Sequence, residues 1–193
     1  MKKIFPLVML CFVLSMCKEP EKTVGTDSSL SANIENYKTY DWVKNIDQIP
    51  SDKVFIGPNG ILVFNNESAR SKIKDAIQYE LSAKGYKMDN INPDFYVNFT
   101  VLEQPADLTT FNGFQTVDNG LDSVRTPENV QKTHVDAGTV LIDFIDAKTS
   151  KQVWQGFASG ILKPDMINDQ SKVRAAISSI FEKYKYKAAT ASR

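Results

Sequence analysis

Residues 138 to 162 read GTVLIDFIDAKTSKQVWQGFASGIL, and the fold is decided by how this stretch alternates. Val140, Ile142 and Phe144 fall on one side of an extended chain, and Leu141, Asp143 and Ile145 on the other. A two-residue period in β-branched and aromatic side chains is the signature of a strand rather than a helix. The polar run Asp146-Ala147-Lys148-Thr149-Ser150-Lys151 then turns the chain, and Val153-Trp154-Gln155-Gly156-Phe157 resumes it. In this second strand Trp154, Gly156, Ala158 and Gly160 share one face. Small residues beside a tryptophan admit a second backbone or a helix at close range.

Working outward, Phe95, Val97, Phe99 and Val101 alternate with Tyr96, Asn98 and Thr100, which predicts a strand over 95–102. An earlier one carries Tyr40 and Trp42. Ile61-Leu62-Val63-Phe64 reads as a short apolar strand or an extended lead into a helix, after the punctuation of Gly57-Pro58-Asn59-Gly60. The spacing of Ile73, Ala76, Ile77 and Leu81 predicts that helix, with Asn65 or Asn66 as its cap and Gly85 as its left-handed stop before Tyr86. A short strand at 86–88 and a turn through Asp89-Asn90-Ile91-Asn92-Pro93 follow. A second helix repeats the pattern with Val173, Ala176, Ile177, Ile180, Phe181 and Tyr184, capped by Asn168, Asp169 or Ser171. Strands with two amphipathic helices predict an α+β two-layer sandwich: a twisted, mostly antiparallel sheet with both helices packed on one face.

The chain has 193 residues, 42% hydrophobic and 24% charged, with 23 basic and 23 acidic side chains. Such a balance gives no basic footprint, so nucleic acid is not an expected partner. The N-terminus carries Lys2 and Lys3, then an apolar run from Ile4 to Leu14, too short to span a bilayer and built like a signal peptide. Leu14-Ser15-Met16-Cys17 resembles a bacterial lipobox, with Met16 where a small residue is usual. This predicts a leader over 1–16 and a lipid on Cys17. Without Lys2 and Lys3 the formal charge of +0 becomes −2. The chain's two cysteines are Cys11 and Cys17, so a mature domain would hold no disulfide and no thiolate metal site. Residues 17–34 are polar and aperiodic and read as a flexible tether, the domain spans 35–187, and 188–193 form a tail. Within the domain, 103–137 read as a long irregular loop, a feature that in a compact domain is functional or disordered.

The domain resembles the bacterial lipoprotein family called domain of unknown function 4136. The likeness lies in Tyr40-Asp41-Trp42, in Leu81-Ser82-Ala83-Lys84-Gly85-Tyr86 followed by Pro93-Asp94-Phe95, and in Gly138-Thr139-Val140-Leu141-Ile142-Asp143 through Val153-Trp154-Gln155-Gly156. The resemblance implies an envelope lipoprotein domain without an assigned reaction, and it transfers no catalytic residue.

Ser71-Lys72-Ile73-Lys74 spells S-x-x-K, the signature of penicillin-recognising enzymes, but no S-D-N element accompanies it. His134 is the only histidine and reads as a surface residue. Asp89-Asn90-Ile91-Asn92-Pro93-Asp94 lacks the order of a calcium loop and reads as a turn. Asp143 and Asp146 read as solvent-facing strand ends. No phosphate-binding glycine loop opens a helix. No metal, cofactor or catalytic group is therefore expected, and the chain is not expected to be an enzyme. The reading is a lipid-anchored protein of the bacterial cell envelope, held at the outer membrane and facing the periplasm or the surface. Its role is binding or structural, towards an envelope protein, glycan or lipid, with Phe111 and Phe114 as candidate anchors. The alternative is an envelope-polymer hydrolase using Asp/Glu chemistry, since carboxylate pairs assemble in space.

Overall fold

The alternation at 138–162 becomes the middle of a six-stranded sheet. The computed structural model describes residues 23–28, 33–44, 55–57, 60–62, 67–111, 130–163 and 165–190. In chain order the elements are β1 (Val24–Ser28), a 3-10 turn (Ile34–Asn36), β2 (Thr39–Trp42), β3 (Phe55–Gly57), β4 (Gly60–Leu62) and α1 (Glu67–Ala83). There follow β5 (Lys87–Met88), β6 (Phe95–Leu102), β7 (Ala106–Phe111), β8 (Val130–Val135), β9 (Thr139–Asp146), β10 (Gln152–Ala158) and α2 (Gln170–Phe181). The main sheet runs β1-β10-β9-β6-β2-β5. Its first three pairings are antiparallel, whereas β6 with β2 and β2 with β5 are parallel. The remaining strands pair as two antiparallel ribbons, β3 with β4 and β7 with β8.

The hairpin turn is built by Asp146. Its Oδ1 accepts hydrogen bonds from Thr149 N at 2.6 Å, Thr149 Oγ1 at 2.8 Å and Lys148 N at 3.0 Å, while Tyr37 Oη donates to Oδ2. Burial pushes this carboxyl up, but the bonds from Tyr37, Thr149 and Lys148 outweigh it and hold the group below its ordinary range. Asp94 does similar work one strand over, where Oδ2 accepts from Lys38 N at 2.7 Å and Thr39 N at 3.0 Å.

Register explains the core. Rows across the sheet read Val97–Phe144–Trp154, Phe99–Ile142–Gly156 and Val101–Val140–Ala158. All nine are buried and face the helices, Gly156 lying directly under Ile180 of α2. Above them sit Ile73, Ala76, Ile77 and Leu81 of α1, and Val173, Ala176, Ile177, Ile180 and Phe181 of α2. Asp169 caps α2 by accepting from Ser171 N at 2.9 Å and Lys172 N at 3.3 Å. Gly85, at φ 89°, closes α1. Tyr86 N there donates to Leu81 O at 3.0 Å and Gly85 N to Ser82 O at 2.9 Å, the paired bonds of a Schellman stop. Tyr184, expected inside α2, lies just past its end yet is 1% exposed. Its ring stands 5.0 Å from Trp154 and 5.1 Å from Phe144, and its hydroxyl meets that of Tyr86 at 2.9 Å.

Three boundaries differ from the sequence reading. Val24–Ser28, read as tether, is the edge strand beside β10; a short polar strand shows little hydrophobic period, so composition alone does not reveal it. The stretch 103–137, read as an irregular loop, holds β7 and β8. Val135 joins Leu141 and Phe157 in a second small core, with Leu102, Ala106 and Leu108 packed against it. The ribbon thus covers one end of the face opposite the helices. The tail is also partly built in, because Ala188 N donates to Lys84 O and Ala189 N to Tyr37 O.

Gly156 is the tightest point between layers: a Cβ there would stand 2.6 Å from Ile180 Cγ2 and 2.6 Å from Trp154 Cζ2. Gly156→Val should cost about 2–3 kcal/mol through overpacking, measured by urea unfolding. An unchanged midpoint would show that α2 does not seat there.

Candidate functional site

Among the described residues neither helix packs on the other sheet face, and the ribbon β7–β8 covers one end of it. Residues of even number on β6, odd number on β9, and Gln155 with Phe157 on β10 point to it, as the two-residue period requires; the register shift between Gln152 and Trp154 turns Val153 into the helix-side core instead. Tyr96 pairs with Ile145, Asn98 with Asp143, and Thr100 with Leu141. On the next strand Gln155 is opposite Asp143 and Phe157 opposite Leu141. Strands lie about 4.8 Å apart, so Asn98, Asp143 and Gln155 form a continuous polar row across β6, β9 and β10. It borders the small Val135–Leu141–Phe157 core on one side and Tyr96 with Ile145 on the other.

Asp143 is the hub of the row. Gln155 Nε2 donates to its Oδ1 at 2.7 Å, and Asn98 Nδ2 makes a longer contact to Oδ2 at 3.5 Å. All three residues are half-buried. Burial pushes the Asp143 carboxyl above its ordinary range, and the bonds from Gln155 and Asn98 pull it back only in part. The amides retain oxygen acceptors and further N–H donors. The row can therefore offer both donors and acceptors to a polar ligand, and its hub accepts or donates according to protonation.

The residues singled out from sequence do not gather here. Asp143, read as a strand end, lies mid-strand inside the row, whereas Asp146 does end its strand and is taken up by the turn. Phe111 closes β7 opposite Val130 in backbone register, and Phe114 lies outside the described residues. Cys17 with its leader, and the cap position at Asn65 and Asn66, lie outside them as well. His134 sits on β8 opposite Asp107, its Nδ1 2.8 Å from Asp107 Oδ1, both side chains exposed, an arrangement of small energetic weight. Asp89 Oδ1 accepts from Ile91 N at 2.9 Å and Asn92 N at 3.1 Å, which makes the acidic stretch at 89–94 an Asx turn. Of the S-x-x-K pair, Ser71 is exposed and Lys74 Nζ stands 5.3 Å from the Trp42 ring centre. Among the described residues no three His, Cys, Asp or Glu side chains could together hold a metal ion, and no helix is long and apolar enough to cross a membrane.

Asn98 and Gln155 escaped the sequence reading because each is an ordinary polar residue on the outward side of a strand. The signal was present in Asp143 itself, an acid set in the apolar run Leu141-Ile142-Asp143-Phe144-Ile145. Only cross-strand register reveals its partners.

An acid raised by folding binds more protons in the native than in the unfolded state between its ordinary and its raised value. The stability tied to neutral Asp143 is full below the ordinary carboxylate range and is lost as pH rises through the raised value. Asp143→Asn should therefore gain stability relative to the parent as pH increases from acid to neutral, measured by urea unfolding across that range. A gap between variant and parent that is flat with pH would mean that Asp143 titrates as a surface acid.

Comparison with known proteins accounts for most of the chain. Among solved structures the fold is similar to a DUF4136 family protein from Bacteroides thetaiotaomicron, with a TM-score of 0.53 at 15% identity, covering 88% of this chain and 99% of that one. A PDZ domain protein from Parabacteroides distasonis is similar at a TM-score of 0.46 and 14% identity, over 86% of this chain and 36% of that one. No curated protein matches. The sequence model described as Domain of unknown function (DUF4136) matches residues 24–184, from the first strand through the aromatic Tyr184. The chain belongs to the DUF4136 family.

Proposed function

We propose that this protein is a lipid-anchored component of the bacterial cell envelope whose domain binds a partner rather than transforming a substrate. The anchor reading is supported by Lys2 and Lys3, the apolar run Ile4 to Leu14 and the lipobox-like Leu14-Ser15-Met16-Cys17. A lipid on Cys17 would tether the domain to a membrane, which in this proposal is the outer membrane, with the domain periplasmic or surface-facing. A single acyl chain binds membranes only marginally, so stable anchoring calls for more than one chain on the modified cysteine.

The observation that carries the binding reading is the Asn98–Asp143–Gln155 row. It is a lone carboxyl between two neutral amides, well suited to hydrogen bonding and poorly suited to acid–base work. Glycoside hydrolysis asks for two carboxyls about 5–10 Å apart, one of them free to move a proton. Asp94 and Asp146, which both act on Tyr37, spend their oxygens on backbone N–H groups and hydroxyls at strand ends. The partner is an envelope protein, a glycan or a lipid, and a formal charge near zero disfavours nucleic acid.

Expression of the full chain in a bacterial host with labelled palmitate tests the anchor. Label should enter the parent and be lost in Cys17→Ser. Equal label in both, or none in the parent, would remove the lipoprotein reading.

A further inference from the structure

β1 decides at which end the chain joins the sheet. Val24 pairs with Ala158 and Ser28 with Trp154, so the strand starts at the end bearing Gly138 and Ser159 and runs towards the β9–β10 turn. That starting end is firmly built. Ser159 N donates to Thr23 O at 2.9 Å, Gly138 N to Leu102 O at 2.7 Å, and Leu162 N to Gly138 O at 3.0 Å. The strand is also held from above. The Phe157 ring lies where a Cβ on Gly25 would project, so aromatic area covers the backbone of β1.

Seven residue steps separate Cys17 from Val24. A chain spans at most about 3.6 Å per residue, so Val24 lies within roughly 25 Å of Cys17. Had the tether run to residue 34, the same bound would be about 60 Å. The β9–β10 turn lies farther out by the length of β9, whose eight residues extend about 26 Å.

We propose that β1 is an orienting strap. It turns the sheet end formed by Leu102, Gly138, Ser159 and Leu162 towards the lipid surface and holds the β9–β10 turn away from it. The inference rests on the lipid anchor at Cys17 put forward above. Its partner is the bilayer surface itself, reached through a short leash rather than through a charged patch. The ribbon β7–β8 springs from the same end, since β7 follows Leu102 and β8 leads to Gly138. The ribbon is therefore rooted on the membrane side, and the exposed Lys148 and Lys151 of the turn face outward.

In the mature lipoprotein Cys11 would be removed with the leader and the Cys17 thiol spent in the lipid thioether, so one added thiol is a unique reporter. Lys163→Cys marks the membrane end and Lys148→Cys the far end; both side chains are exposed. Each purified lipoprotein, carrying a donor dye, is reconstituted into phosphatidylethanolamine–phosphatidylglycerol vesicles with acceptor-labelled headgroups. Energy transfer should be clearly greater from position 163 than from 148. A long Gly/Ser insert between Lys22 and Thr23 should bring the two to parity. Equal or reversed transfer from lipidated protein without the insert would overturn the strap. Absence of lipid mass on Cys17 in the same samples would instead overturn the anchor reading, so the two failures are told apart before any fluorescence is read.

Discussion

The close seat of α2 on β10 at Gly156 is the constraint on which the other contacts depend. Gly156 lies in the central row, between Ile142 on β9 and Thr26 on β1, and Ile180 descends into the space its missing side chain leaves. With α2 at that height, Phe181 stands 6.0 Å from Trp154 and 6.2 Å from Phe144. Tyr184 then drops past the helix end onto the same rings. Aromatic pairs of this kind add about 0.5–1.5 kcal/mol each beyond their buried area. The buried Tyr86–Tyr184 hydroxyl pair ties α1's stop to α2's exit, satisfying two groups that would be costly to bury alone.

This arrangement separates the two sheet faces by role. One is saturated by helices. The other carries the small apolar core under the ribbon, the amide–carboxyl–amide row beside it, and Tyr96 with Ile145 beyond. The acids at the strand ends, Asp94 and Asp146, hold the framework by accepting from backbone N–H groups. Asp143 differs from them because its partners are side chains, so its surroundings can respond to a ligand without unravelling a turn.

Much of the fold was legible because the core strands obey a strict period. Phe95 to Val101 and Val140 to Phe144 alternate without interruption, and the structure buries the residues so assigned. Gly85 as helix stop was also readable, since few other residues tolerate that left-handed turn, whereas the α2 cap was readable only as Asn168, Asp169 or Ser171, of which the structure uses Asp169. Val24–Ser28 was not readable: an edge strand of Val, Gly, Thr, Asp and Ser needs no apolar period, because β10 supplies its partners. β7 and β8 were hidden for a related reason, as Thr109, Lys132 and His134 point polar side chains to solvent while Leu108 and Val135 supply the few apolar contacts. The candidate row was legible only at Asp143, since Asn98 and Gln155 lie 45 and 12 residues away along the chain and meet it through register alone.

The domain begins at Val24, with β1 completing the sheet beside β10. Amide hydrogen exchange over residues 24–28 tests it most directly, by comparison with a free peptide of the same sequence. Amides donating into β10 should exchange many-fold more slowly in the protein than in the peptide, because opening them requires lifting the strand from beneath Phe157. Exchange at the peptide's rate throughout 24–28 would contradict it.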